Sequence, residues 1–343
     1  MKKLLNTLYV TTPESYLSLD GENVVILKDD APIMRIPLHN LEGIVTFGYT
    51  GASPALMGAC ASHGISLAFL TAHGRFLAEV QGETHGNVLL RRAQYRAADD
   101  DARALEIAKN ILIGKMHNSR WVLERCVRDH AERLDAERVK RSSRFIADAL
   151  DGVREAETHG TLLGVEGEAA ARYFSVFDDL ILQNKDAFFF KERSRRPPLD
   201  KVNALLSFIY TLLAKDTASA LSAVGLDPFV GFLHKDRPGR RSLALDIMEE
   251  LRAPFADRFV LTLINTRQLD GGSFESRENG AVLLRDDARK AVLTAWQTRK
   301  REEIVHPFLK EKIAWGLVAH VQAMLLARFL RGDLEAYPPF MWK

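Results

Sequence analysis

The sequence lacks the short motifs by which several large enzyme classes are recognised. It contains no Walker A loop, no GxGxxG fingerprint, no GxSxG nucleophile elbow and no HExxH zinc motif. Its two cysteines, Cys60 and Cys126, stand far apart without the spacing of a zinc site, so we expect two free thiols in a reducing compartment. These absences leave metal-dependent chemistry on phosphate esters, or no catalysis, as the remaining hypotheses.

The sequence also lacks a large excess of either charge and long apolar runs. The 343 residues carry a formal net charge of +2, which is too small by itself to indicate a nucleic-acid partner. The most apolar late stretch, residues 313–330, includes His320, Gln322 and Arg328, so it is predicted to be a core helix and not a membrane span. We therefore expect a cytoplasmic protein without a membrane contact.

Two kinds of pattern divide the chain near residues 86–94. Strand signals fill the first part, including a hairpin around the DGEN turn at Asp20–Asn23. Helical spacing dominates the rest, with helices predicted at 101–116, 120–134, 136–150, 166–190, 198–214, 242–252, 254–268, 286–298 and 307–331. The fold class is therefore predicted to be α+β, with a small β-rich N-terminal domain over residues 1–88 and a larger all-α domain over residues 89–343.

The segment GFLHKDRPGRRSLALDIMEEL, residues 231–251, concentrates groups that carry chemistry. His234 precedes a basic turn, and Asp246, Glu249 and Glu250 share the face of a short helix opposite its apolar stripe. The simplest interpretation is that these acids solvate the helix. The alternative is that a histidine and several carboxylates hold a divalent metal beside a phosphate backbone.

The limits of that helix and the basic residues around it lead to further expectations. Ser242 is predicted as its N-cap, and Pro254 is predicted to end it. Seven arginines are candidate phosphate contacts: Arg193, Arg195, Arg196, Arg237, Arg240, Arg241 and Arg252. For Tyr173, Asn203 and Tyr210 the sequence leaves open whether they face a site or pack in the core.

Glu166 is a third candidate for the site. It lies between Gly164 and Gly167, where a helical pattern is predicted to begin. Glycines on both sides would let the backbone approach another group closely. Taken alone, Glu166 is better explained as an acid that interacts favourably with the dipole of the first helical turn than as a ligand.

Residues 164–167, 193–208, 231–234 and 242–250 together carry a family resemblance. The chain resembles the CRISPR adaptation integrase, a metal-dependent DNA endonuclease that inserts new spacers into CRISPR arrays, and the resemblance covers almost the whole length. It implies that Glu166, His234 and Glu249 are metal ligands and that Asp246 is a supporting catalytic acid. Two carboxylates and an imidazole suit Mn²⁺ well and Mg²⁺ acceptably.

The resemblance also implies a reaction and partners. The expected reaction is attack of the 3′-hydroxyl of incoming DNA on a repeat-border phosphodiester, together with cleavage of branched DNA. The expected partners are double-stranded and branched DNA, a second copy bound through the β-rich domain, and a small ferredoxin-like adaptation subunit. The likeness points to the type I-C branch.

Two other functions remain open at this point. In the first, the chain is a non-catalytic helical DNA-binding scaffold whose acids only solvate their helix. In the second, it is a metal phosphoesterase for small substrates, although the clustered arginines favour a polyanion.

Overall fold

The computed structural model describes residues 6–72, 74–80, 82 and 88–343, which form two compact units. The first unit comprises residues 1–86 and 284–302, and the second comprises residues 87–283 and 303–343. Residues 83–87, just before the predicted boundary, lie outside the described residues. The predicted α+β class is confirmed, with strands concentrated in the first unit and helices in the second.

The elements are numbered in chain order. The strands are β1 Asn6–Val10, β2 Ser15–Asp20, β3 Asn23–Lys28, β4 Ala31–Pro37, β5 Leu41–Phe47, β6 Gly51–Ala52, β7 Ser66–Leu70, β8 Phe76–Val80, β9 Phe274–Ser276, β10 Val282–Leu284, β11 Glu303–Val305 and β12 Lys312–Ala314. The helices are α1 Pro54–Ser62, α2 Val88–Asp99, α3 Asp101–His130, α4 Ala136–Glu155, α5 His159–Ser175, α6 Lys201–Val224, α7 Ser242–Leu251, α8 Arg258–Asn265, α9 Asp286–Arg301 and α10 Val318–Leu330.

Two four-stranded sheets build the described part of the first unit. One has the strand order β1-β5-β7-β8, with only the last pair antiparallel, and the other has the order β4-β3-β2-β6. The predicted hairpin is confirmed, because β2 and β3 pair antiparallel with Asp20 opposite Asn23, and Gly21 takes the positive φ that the turn requires. Leu17, Ile44 and Leu67 are among the residues that form the shared core.

Helix α9 belongs to the first unit, although the sequence pattern placed it with the helical domain. The Lys300 side chain is almost fully buried and lies 3.1 Å from Glu42 Oε1, and Gln297 donates a hydrogen bond to the carbonyl of Thr7. These contacts join the helix to β1 and to the start of β5. Such partners lie far away in sequence, so a local pattern does not reveal them.

Helix α3 runs unbroken through the gap predicted between residues 116 and 120. His117, Asn118 and Ser119, which fill that gap, are weak helix formers. In the structure all three are buried, and Asn118 donates to the carbonyls of Glu250 and Phe340 and accepts from Trp342 N. Tertiary hydrogen bonds therefore outweigh the local propensity.

Helix α6 is long and apolar enough to cross a membrane by length and composition alone. It is, however, 61% buried over its most apolar window, as expected of a core helix. The two cysteines carry free thiols, and Cys60 is buried in the core of the first unit.

Candidate functional site

Helix α7 carries its three carboxylates in the protein interior. Asp246, Glu249 and Glu250 are 0%, 3% and 0% exposed, respectively. The interpretation that these acids solvate the helix is therefore wrong, and each needs a compensating partner because an isolated buried charge is costly. Ser242 is the first helical residue and not the N-cap, which is Arg241. Pro254 does not end the helical path, since a π-helical segment over Arg252–Asp257 connects α7 to α8.

Asp246 organises the loop that carries His234. Its carboxylate accepts hydrogen bonds from the backbone N–H groups of Phe232, Leu233 and His234 at 2.6, 2.9 and 3.0 Å. It also lies 2.7 Å from Nδ1 of the His234 ring. A carboxylate bound to Nδ1 fixes the orientation of an imidazole and leaves Nε2 as the nitrogen that can accept a metal.

Gly231 permits this close packing of loop and helix. A Cβ at this position would lie 2.8 Å from Asp246 Oδ2 and 2.8 Å from the Cβ of Ser242. No ordinary side chain tolerates such distances without movement of the backbone. The glycines beside Glu166 differ, because nothing lies within 4 Å of a Cβ at Gly164 or Gly167.

Glu250 is held mainly by the C-terminal tail, residues 331–343, which follows α10. It accepts hydrogen bonds from Tyr337 OH, Phe340 N and Gln322 Nε2 at 2.7, 2.7 and 2.8 Å. Burial raises the pKa of Glu250 to about 8, although these donors act in the opposite direction. Glu250 is thus a structural group that ties the tail to α7, and its role is separate from that of its neighbour Glu249.

Glu249 is held by two cations. The Lys115 ammonium lies 2.9 Å from Glu249 Oε2 and also contacts the carboxylate of Glu166, while Arg252 Nη1 lies 2.8 Å from Glu249 Oε1. Burial disfavours charge on Glu249, but Arg252 and Lys115 outweigh it and lower the pKa of this carboxyl to about 2. Glu249 therefore stays ionised across the physiological range. Glu166 reaches Lys115 from the middle of α5, and not from a first turn as predicted, because Thr158 caps that helix.

The predicted metal ligands are brought into one region but do not form a closed ligand set. His234 is near enough for its charge to lower the pKa of Glu249. Within the described ranges, no group of three or more carboxylate, imidazole or thiol side chains is close enough to hold a metal. The donors nevertheless fit a hard divalent ion, since Glu166 and Glu249 already direct carboxylate oxygens at one cation, the Lys115 ammonium. Lys115 stands between the two carboxylates.

Three of the predicted phosphate contacts, Arg193, Arg195 and Arg252, line a pocket that also includes Glu166. The guanidinium carbons of Arg193 and Arg252 lie 5.4 and 5.1 Å from the ring centre of Tyr210. Arg193 also donates to Asn203 Oδ1 at 2.6 Å. Stacking and hydrogen bonding hold these cations in place before any anion arrives.

Asp257 anchors the floor of this pocket. Tyr210 OH and Tyr173 OH donate to its carboxylate at 2.6 and 3.0 Å. Burial raises the pKa of Asp257 to about 6, although the two hydroxyls and Arg252 act in the opposite direction. Both tyrosines left open by the sequence line this pocket, Tyr173 from an almost fully buried position, and the buried Asn203 positions Arg193.

The other predicted arginines differ in their exposure and in the contacts that their side chains make. Arg195, Arg196 and Arg237 are exposed. Arg240 donates to the carbonyl of Lys235 and to Ser242 Oγ, so it closes the basic turn, and Arg241 lies over the ring of Phe229.

Sequence reasoning missed Lys115 and Asp257 altogether. Neither residue stands in a motif, and only packing brings them to the site.

A β-rich unit, a helical unit and buried carboxylates beside prearranged arginines are the features of a nucleic-acid-processing enzyme. The family model described as CRISPR associated protein Cas1 matches residues 8–298. A protein of Chlorobaculum tepidum named CRISPR-associated endonuclease Cas1 1 is 54% identical over 343 residues and covers 100% of both chains. The chain belongs to the Cas1 family.

Solved structures share the fold at lower identity. A casposase bound to integration product has a TM-score of 0.85 at 23% identity, covering 99% of this chain and 95% of that chain. A Cas6-RT-Cas1–Cas2 complex contains a chain with a TM-score of 0.82 at 24% identity, and the match covers 100% of this chain and 36% of that chain. The predicted family is thereby confirmed by the sequence relatives, and the predicted fold class by these structures.

Replacement of Gly231 by alanine should disturb the loop that carries His234. The added methyl group clashes with Asp246 and Ser242, and overpacking of this kind costs about 1–3 kcal/mol. Urea unfolding measures the loss. Gly164→Ala is the matched control, since it meets no atom within 4 Å and lies inside α5, where alanine is favoured. Equal stability of Gly231→Ala and the wild type would contradict the close packing.

Asp257 should make the free energy of unfolding depend on pH. Its pKa rises from 3.8 to about 6 on folding, so the native state holds the proton more tightly than the unfolded state. The resulting stabilisation is full below pH 4 and is lost as the pH rises through 6, by about 1–3 kcal/mol. Urea unfolding of wild type and Asp257→Asn from pH 4 to 7 should show a steeper loss in the wild type, because the raised pKa of Glu250 contributes equally to both proteins. Parallel curves would contradict it.

Proposed function

We propose that the chain is a metal-dependent DNA endonuclease and integrase of CRISPR adaptation. The observation that carries this proposal is the meeting of Glu166 and Glu249 at one cation position, near His234 and beside the prearranged pair Arg193 and Arg252. Membership of the Cas1 family, whose relatives are named endonucleases, supports the same class of enzyme. Glu166, His234 and Glu249 would hold Mg²⁺ or Mn²⁺.

The proposed reaction is a transesterification. The 3′-hydroxyl of an incoming DNA end attacks a repeat-border phosphodiester, so that one P–O bond forms as another breaks and a new 3′-hydroxyl leaves. The number of phosphodiester bonds is unchanged, which is why no nucleotide hydrolysis is needed. When bound, the divalent ion supplies positive charge to the phosphate under attack. Hydrolysis of branched DNA would use water in place of the hydroxyl.

The residues of the chain prepare the site for this reaction. The low pKa of Glu249 keeps that carboxylate ionised, and Asp246 fixes the His234 ring. Arg193 and Arg252 present guanidinium groups that pair well with phosphate oxygens. Because phosphates are the same in every sequence, these contacts position DNA without selecting a base sequence.

The proposed partners follow from the relatives and from the surface. A structural neighbour is part of a complex with Cas2, which supports assembly with a small ferredoxin-like subunit. A homodimer through the β-rich unit is supported by the edge strand β4, on which Ile33 and Met34 are each 50% exposed. Location in the cytoplasm and assignment to type I-C remain predictions.

Alanine substitution of any proposed ligand should abolish cutting of branched DNA in the presence of Mn²⁺. For Glu166→Ala, His234→Ala and Glu249→Ala we expect the cutting rate to fall by about 100-fold or more. Mutation of even the outer-shell partners of a metal lowers metal affinity or activity by about 10–100-fold. Glu168→Ala, an exposed acid on the same helix as Glu166, is the control and should cut normally. Thermal melting shows that each variant folds.

This cutting assay, together with a DNA-binding assay and a phosphomonoester assay on the wild type, also separates the alternative functions. Undiminished DNA binding with no cutting by the wild type would favour the scaffold. Release of phosphate from a generic phosphomonoester would favour the small-substrate phosphoesterase. The two cations on Glu249 speak against the scaffold, because such compensation is unnecessary for an acid that only solvates a helix.

Neutralising Arg237 should weaken binding to all duplex DNA alike. Arg237 is exposed in the basic turn, whereas Arg240 closes that turn, so Arg237→Gln tests phosphate contact without disturbing the loop. Loss of one phosphate contact lowers the slope of log K against log salt by about 1. Fluorescence anisotropy across a salt series measures the slope. Arg128→Gln, which removes an exposed arginine paired with Asp129, should leave it unchanged.

A further inference from the structure

We propose that Lys115 is an internal counter-ion of the candidate metal centre. Its ammonium bridges Glu166 and Glu249 when no divalent cation is bound, and it leaves them when one binds. This inference rests on the proposed function, because it concerns the same two carboxylates. It assigns a role to a residue that no motif marks and that is not itself a metal ligand.

The geometry shows that the ammonium and a divalent ion would compete for the same place. Lys115 projects from the middle of α3, and its side chain is only 15% exposed. Its ammonium contacts the Glu166 carboxylate and lies 2.9 Å from Glu249 Oε2. A divalent ion held by the same two carboxylates would stand where the ammonium stands, and the two positive charges would repel each other strongly in a poorly solvated site. One cation must therefore displace the other.

Lys115 is the cation that can move, and Arg252 is the one that stays. Arg252 binds the other oxygen of Glu249 and lies over the Tyr210 ring, which fixes its guanidinium. Lysine instead carries a compact charge on a flexible four-carbon stem.

The counter-ion has two opposite effects. Without a metal, it relieves the repulsion between Glu166 and the buried Glu249, so the ligands stay together in a folded site. During metal binding, it lowers the affinity, because the incoming ion must first break two ion pairs. A purely structural lysine would have the first effect but not the second, so metal affinity distinguishes the two roles.

The test is Mn²⁺ binding to the full chain after removal of metal with a chelator and desalting. We expect Lys115→Met to bind Mn²⁺ about tenfold more tightly than wild type, in isothermal titration calorimetry and in electron paramagnetic resonance of free Mn²⁺. The metal-free variant should melt at a lower temperature, and added Mn²⁺ should raise its melting temperature by more than that of wild type. Lys109→Met is the control, since Lys109 lies on α3 but donates to the carbonyl of Arg154.

Each outcome bears on the inference in a defined way. Tighter Mn²⁺ binding by Lys115→Met, with Lys109→Met unchanged, supports it. Equal or weaker binding by Lys115→Met overturns it and leaves the metal site standing. Absence of Mn²⁺ binding by the wild type and both variants overturns the proposed site and this inference together. Lys115→Gln, which keeps a polar side chain but no charge, gives the same comparison if the methionine variant does not fold.

Discussion

Three buried carboxylates on the short helix α7 impose the main constraint on the helical unit. The effective penalty for burying an ion is several kcal/mol after relaxation, so an uncompensated set of three would exceed the stability of most domains. The chain compensates each one differently. Asp246 accepts hydrogen bonds from backbone N–H groups, Glu249 lies between two cations, and Glu250 accepts hydrogen bonds from Tyr337, Phe340 and Gln322.

Each kind of compensation brings a distant part of the chain to α7. The N–H groups come from the loop of residues 231–234, Lys115 comes from the middle of α3, and the donors to Glu250 come from the C-terminal tail and α10. The contacts that hold the candidate site together are therefore also contacts in the core of this unit. A change that loosens the tail or α3 also alters the surroundings of Glu249.

The π-helical segment after α7 extends this arrangement toward the arginine pocket. It begins at Arg252, which binds Glu249, and ends at Asp257, which accepts the hydroxyls of Tyr173 and Tyr210. A π-helical turn widens the backbone and changes the direction of the side chains that follow, and such turns are frequent at functional sites. The family relationship and the structural similarity to a casposase over 99% of the chain show that the architecture is shared with those proteins. The chemistry, in contrast, depends on these local contacts.

Local patterns determined the division into strands and helices, the hairpin at Asp20–Asn23 and, through a family resemblance, the choice of Glu166, His234 and Glu249. These features depend on residue types at short spacing, which a sequence displays directly. Tertiary structure alone decided that the acids of α7 are buried, that α3 is continuous, that α9 joins the first unit and that Lys115 lies between two carboxylates. The spacing of an acid along a helix states only which face it occupies. Whether that face meets water, a cation or a hydrogen-bond donor depends on segments far away in the chain.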